Sequence, residues 1–130
     1  MISYLDTSAA SKLLLREAET DALKAQLDEL HDGGLLVMGS SLLETELRRT
    51  ATRTREPQSL VTDILDRLEM FELDQSVFRV AGLLPGEHLR SLDALHIAAA
   101  LRVGADVMIS YDLRQIDAAR DAGLGTLSPE

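Results

Sequence analysis

The chain has 130 residues, 45% of them apolar but with only two Tyr, two Phe and no Trp, so a single domain with an aliphatic core is expected. The absence of cysteine excludes disulfides and thiolate metal sites, and no apolar run approaches the ~18 residues that span a bilayer. A net charge of -9, from 22 acids against 13 bases, opposes nucleic acid unless a local basic patch or bound cations intervene.

Met1–Leu5 reads as a short buried strand. Asp6-Thr7-Ser8 closes it with residue types that cap helices, and a helix follows to about Leu15. Residues 1–15 lack the order of basic, apolar and small residues that marks a secretory leader, so a cytoplasmic protein is expected. Ala22, Leu23, Leu27 and Leu30 recur at helical spacing in a second helix, Ala18–Leu30, which Gly33-Gly34 ends. Leu35–Gly39 reads as a buried strand, and Ser40-Ser41 opens a helix carrying Leu43, Leu47 and Ala51. Pro57 marks a further helix to about Arg67. Met70–Leu73 reads as a strand, Gln75–Leu84 as a short helix and Pro85-Gly86 as a turn. Ser91–Val103 is the most apolar helix and stops at Gly104. Val107–Ser110 is a strand, Asp112–Ala122 a helix ended by Gly123, and Leu124–Leu127 a last strand. Short apolar strands alternating with longer helices predict parallel crossover units. The expected fold is α/β, a three-layer α/β/α sandwich with a mostly parallel sheet of about four to five strands.

Ligands of such sheets bind beyond the carboxyl ends of the strands. Asp6 and Asp112 follow two predicted strands there, although each also suits a helix cap. Asp93 is harder to account for, because Ser91 is the better cap and the helix around Asp93 is apolar on most sides. The helix dipole offers a carboxylate only ~0.3–1 kcal/mol, whereas unpaired desolvation costs several. An arginine partner or a metal ion would supply the balance. On the helix after Ser41, Glu46 falls inside the apolar stripe, between Leu42 and Leu43, while Glu44 lies at its edge. An ion pair of Glu46 with Arg49 or Arg53 is the alternative to a ligand role. Four clustered carboxylates would raise one another's pKa unless a divalent cation neutralised them, and oxygen donors suit Mg²⁺ or Mn²⁺.

Four segments, YLDTSAASKLL, SSLLETELRR, LDALHIAAAL and ISYDLRQIDAARDAGL, resemble the PIN-domain ribonucleases, specifically VapC-type toxins of toxin–antitoxin pairs. The resemblance spans nearly the whole chain. It implies that Asp6, Glu46, Asp93 and Asp112 are the family's acids, holding Mg²⁺ or Mn²⁺ for RNA cleavage by metal-activated water. Glu46 fits the family pattern through Ser40, six residues upstream, and through the apolar–x–Arg run Leu47-Arg48-Arg49. Thr7 or Ser8 would orient Asp6 or a water, and Ser110 would do the same for Asp112, unless they only cap helices. The resemblance also implies a VapB-type antitoxin covering the site, a toxin homodimer, and a tRNA, rRNA or mRNA substrate whose cleavage inhibits translation and growth.

RNA requires positive charge, and the densest cluster is Arg48, Arg49, Arg53 and Arg55, a set that could equally be a solvated helix face. His96 is expected to be a packed, hydrogen-bonded core residue rather than a general acid, and Asp117 to lie on a solvated face. A receiver domain would need an acidic pair after the first strand and a late lysine, but Thr7 follows Asp6 and the last lysine is Lys24. A haloacid-dehalogenase-type phosphatase would need an aspartate where Ser8 stands. A PIN fold that binds RNA or protein without cleaving it is the remaining alternative, and the presence of all four acids argues against it.

Overall fold

The computed structural model describes residues 1–130. Its strands are β1 (Ile2–Leu5), β2 (Leu36–Ser40), β3 (Glu69–Phe71), β4 (Val107–Ile109) and β5 (Gly125–Leu127). All neighbours pair in parallel, in the order β3-β2-β1-β4-β5. The helices are α1 (Thr7–Leu14), α2 (Thr20–Asp32), α3 (Ser41–Thr54), α4 (Gln58–Asp66), α5 (Gln75–Leu83), α6 (Ser91–Arg102) and α7 (Leu113–Asp121).

Side chains alternate across the sheet, and this divides the core into two layers. Leu5, Val37 and Ile109 face α1 to α4, packing with Ala9, Leu14, Leu23, Leu27, Leu43, Leu47 and Val61. Tyr4 and Met108 face α5 to α7, packing with Val77, Ala81, Ile97, Ala98 and Ala119. Each fully buried leucine contributes about 1.5–3 kcal/mol. The small faces of α6 let it lie close to the sheet: Ala98, Ala99 and Ala100 are all at most 1% exposed. Gly39 serves the opposite layer. A Cβ there would stand 2.8 Å from Leu43 Cδ2, so only glycine lets α3 close on β2 in this way.

The strand order places the site. From β1 the chain moves outward through β2 and β3, then returns to add β4 and β5 on the other side of β1. The switch point therefore lies between β1 and β4, where adjacent crossovers diverge and leave a crevice.

The three-layer sandwich expected from the alternation is what forms, with the sheet wholly parallel. Predicted boundaries differ by a residue or two because terminal pairing depends on the neighbouring strand: β3, for instance, is Glu69–Phe71, not Met70–Leu73. Two capping expectations need correction. Ser91 is not the cap of α6 but its first residue; Arg90 stands at the cap, without a side-chain bond. Ser40 stands at the cap of α3 without a side-chain cap bond, its hydroxyl meeting Tyr4 Oη across the sheet at 2.9 Å.

Candidate active site

β1 and β4 end side by side, and each leads into a helix N-terminus. Asp6 is the N-cap of α1, with Oδ1 accepting the Ala9 amide at 3.0 Å and the Ser8 hydroxyl at 2.7 Å. It is only 3% exposed. Burial pushes its pKa up, opposed by Ser110, the Ala9 amide and Ser8, which favour the charged form. Asp112 is exposed and caps α7, its Oδ1 accepting the Arg114 amide at 2.9 Å. The two junctions are tied together. Ser8 Oγ accepts the Tyr111 amide at 2.9 Å and lies 3.2 Å from Ser110 Oγ, which accepts the Asp112 amide at 3.2 Å.

Asp93 is partly buried in the first turn of α6. Burial and the charge of Asp112 push its carboxyl pKa up, and Glu46 adds to this. Asp93 thus lies within electrostatic reach of both Asp112 and Glu46. No lysine or arginine forms a salt bridge with Asp6, Asp93 or Asp112; Arg90, at the cap of α6, acts on Asp93 only through its field, as does His96.

Glu46 enters the crevice from α3, with its side chain 24% exposed. Its Oε1 accepts from Thr7 Oγ1 and from His96 Nε2, each at 2.7 Å. Burial raises its pKa, but the hydrogen bond and field of His96 and the Thr7 hydroxyl outweigh this and hold it below the usual carboxylate range. The possible ion pair with Arg49 or Arg53 does not form. Glu44 turns elsewhere and pairs with Arg48 at 2.8 Å. Thr7 thus supports Glu46 and not Asp6, while Ser8 supports Asp6 and Ser110 holds the Asp112 backbone.

Tyr4 and Gln115 escaped the sequence reading, which used Ser40 only to open a helix and to mark Glu46. Tyr4 and Ser40, both fully buried, meet at 2.9 Å behind the site. A tyrosine inside the strand ISYL was the available signal, since a buried phenol needs a partner. Gln115 is 2% exposed and reaches the Asp93 carbonyl at 3.4 Å, joining α7 to α6. His96 is buried as expected, yet both its nitrogens are engaged.

Whether the acids suit a metal can be judged from their oxygens. In Glu46 and Asp112 every hydrogen bond falls on one oxygen, leaving the other for a further ligand. The Asp93 carboxylate accepts none. These are hard oxygen donors of the kind that suit Mg²⁺ or Mn²⁺. No three acidic or histidine side chains stand close enough together to hold a metal ion in this arrangement, so binding one would need the carboxylates to draw in.

The arginines divide. Arg48 is committed to Glu44 and to Gln58 on α4. Arg49, Arg53 and Arg55 are exposed and free of ion pairs, and helical spacing puts Arg49 and Arg53 on the Glu46 side of α3. On the other flank, a groove of about 950 Å³ runs from Asp93 between α6 and α7, lined also by Arg90, Arg114 and Asp117. Asp117 is exposed there, as its solvated-face reading anticipated.

Residues 3–121 match the PIN domain family. The chain is a PIN domain. It is 39% identical over 132 residues to ribonuclease VapC35 of Mycobacterium tuberculosis, covering 97% of this chain and 96% of that one. This places the PIN domain among the VapC ribonucleases. The solved VapBC2 from Rickettsia felis, bound to a DNA fragment from their promoter, has a TM-score of 0.78 at 18% identity over 100% of both chains. Mycobacterium tuberculosis VapC20, a sarcin-ricin loop cleaving toxin, gives 0.72 at 18% identity over 98% of this chain and 99% of that one. At such identities the likeness is one of fold, and it is the same five-stranded α/β sandwich. No helix is long and apolar enough to cross a membrane.

Proposed function

We propose that this PIN domain is a metal-dependent endoribonuclease toxin of the VapC type, which cleaves RNA to stop translation and is neutralised by a VapB-type antitoxin. The observation that carries the reading is the electrostatic one. Asp6, Glu46, Asp93 and Asp112 come from four separate segments, Asp93 feels the charges of Asp112 and Glu46, and no lysine or arginine forms a salt bridge with any of the four. Asp6, Glu46, Asp93 and Asp112 would hold Mg²⁺ or Mn²⁺, which would supply the positive charge needed to activate water and stabilise a phosphodiester under attack.

The chain's own residues do the rest. Asp6 is fixed by Ser8 and the Ala9 amide, and Glu46 by Thr7 and His96, so neither has to reorganise when a ligand arrives. Asp93 and Asp112 present oxygens from the adjoining helix ends. Arg49 and Arg53 lie on the Glu46 side, where a single strand leaving the crevice would meet their forks. A homodimer in the cytoplasm, with the antitoxin covering the crevice, is the expected resting assembly.

The test is incubation of the purified protein with RNA in Mg²⁺ or Mn²⁺, with EDTA and Asp93→Ala as controls, beside induction of the gene in a host cell. Cleavage that needs both the ion and Asp93, with growth arrest, supports the proposal. Intact RNA with both ions and unaffected growth would overturn it, and RNA bound but uncut would mark a non-catalytic PIN module. Sequencing the new RNA ends would then identify the substrate.

A further inference from the structure

We propose that His96 is a positioning residue for Glu46, and that Tyr4 fixes His96 in turn. This rests on Glu46 belonging to the metal-holding set. His96 is 3% exposed on α6, and each of its ring nitrogens meets a different element of the fold. Nε2 faces Glu46 Oε1 at 2.7 Å and Thr7 Oγ1 at 3.1 Å. A carboxylate oxygen only accepts, so Nε2 carries the hydrogen and donates. Nδ1 lies 2.7 Å from Tyr4 Oη, which also bonds Ser40 at 2.9 Å, and the two rings meet edge to face. Turning the ring over would set carbon against both partners, so it has one orientation.

The consequence falls on the carboxylate. Glu46 sits on a long, flexible side chain that is partly open to solvent. Two donors on Oε1, one from α1 and one from α6, remove its freedom and leave Oε2 for a ligand. The same ring ties α6, which carries Asp93, to α3, which carries Glu46, so it holds two of the acids in register. Packing alone does not require this. Tyr4 keeps Ser40 as a partner without His96, and Glu46 could reach water. A buried polar chain that is replaceable by an apolar side chain is often neutral for stability. Second partners of metal ligands, by contrast, typically govern affinity by about 10–100-fold.

The experiment measures Mn²⁺ affinity by titration calorimetry without RNA, together with melting temperature in EDTA and the kcat and KM of RNA cleavage. His96→Leu removes the ring's donor and leaves Thr7, His96→Gln restores an amide donor for Oε1, and Tyr4→Phe removes only the hydroxyl that fixes the ring. His96→Leu should bind Mn²⁺ about 10–100-fold more weakly, with kcat reduced and KM for RNA little changed. His96→Gln should recover a large part of that loss, and Tyr4→Phe should lose several-fold. Ile97→Val, a buried neighbour, should lower the melting temperature without moving Mn²⁺ affinity. Wild-type Mn²⁺ affinity in His96→Leu overturns the proposal and leaves the nuclease reading intact. So do losses in the His96 variants that merely track melting temperature without rescue by Gln. If His96→Leu does not fold, His96→Gln and Tyr4→Phe decide, and wild-type affinity in both overturns it. A wild type that neither binds Mn²⁺ nor cuts RNA removes the metal reading and this role with it.

Discussion

Replacing Asp6 by Asn separates the stability of the fold from the function of the crevice. Asn caps a helix about as well as Asp, so the Oδ1 bonds to Ser8 and the Ala9 amide can persist while the charge is lost. Burial raises the native pKa of Asp6 above its ordinary value. The native state therefore holds that proton more tightly than the unfolded chain does. The associated stability is complete below about pH 4 and is lost as pH rises through the native pKa. Asp93 is displaced in the same direction and adds to the trend. Each unit of displacement is worth about 1.4 kcal/mol. With an unfolding entropy of ~2.1 cal/mol/K per residue over 130 residues, a unit corresponds to about 5 °C. Thermal unfolding in EDTA between about pH 4 and 8 is the assay. Asp6→Asn should melt above the wild type near neutrality, with the gap closing toward pH 4. Mn²⁺ at about a hundred times its Kd should raise the wild type by ~2.7 kcal/mol and the variant hardly at all. An Asp6→Asn protein that melts below the wild type at neutral pH, or a gap independent of pH, would refute the reasoning.

Glu46→Gln should lower RNA cleavage by at least about tenfold, because the charge facing the crevice is lost. Glu44→Gln should leave cleavage intact and cost only the ~0.3–0.5 kcal/mol of an exposed helical pair with Arg48; the opposite pattern would reassign the ligand. Arg49→Ala combined with Arg53→Ala should weaken RNA binding and flatten its salt dependence by about 1.4 in log–log slope, two single-strand phosphate contacts' worth. A salt titration of binding by fluorescence anisotropy measures it. Gly39→Ala should destabilise by about 1–3 kcal/mol, because the new methyl meets Leu43 Cδ2, and the penalty should shrink in a Leu43→Ala background. Denaturant unfolding of the four proteins reads that coupling directly.

The fold was largely legible because its signals are local. Leu23, Leu27 and Leu30 repeat at helical period, ISYL and LVMGS are short buried runs, and Gly33, Gly104 and Gly123 stop helices where the chain must turn. Strand-end position singled out Asp6 and Asp112, and helical phase separated Glu46 from Glu44. The partners of those acids were not legible. Glu46 had Arg49 and Arg53 within reach along its own helix, yet it takes Thr7 from α1 and His96 from α6. Asp93 forms no salt bridge with an arginine, and the Ser40 hydroxyl meets Tyr4 Oη instead of bonding the start of α3.

Periodicity, capping types and turn residues act within a few residues of one another, so the sequence alone determined the layers, the parallel sheet and the edge at which the acids collect. Tertiary structure decided what stands behind each carboxylate. A hydrogen bond is settled within a few tenths of an ångström between groups 39 to 92 residues apart, and only the packed sheet brings Tyr4, Thr7, Glu46 and His96 that close.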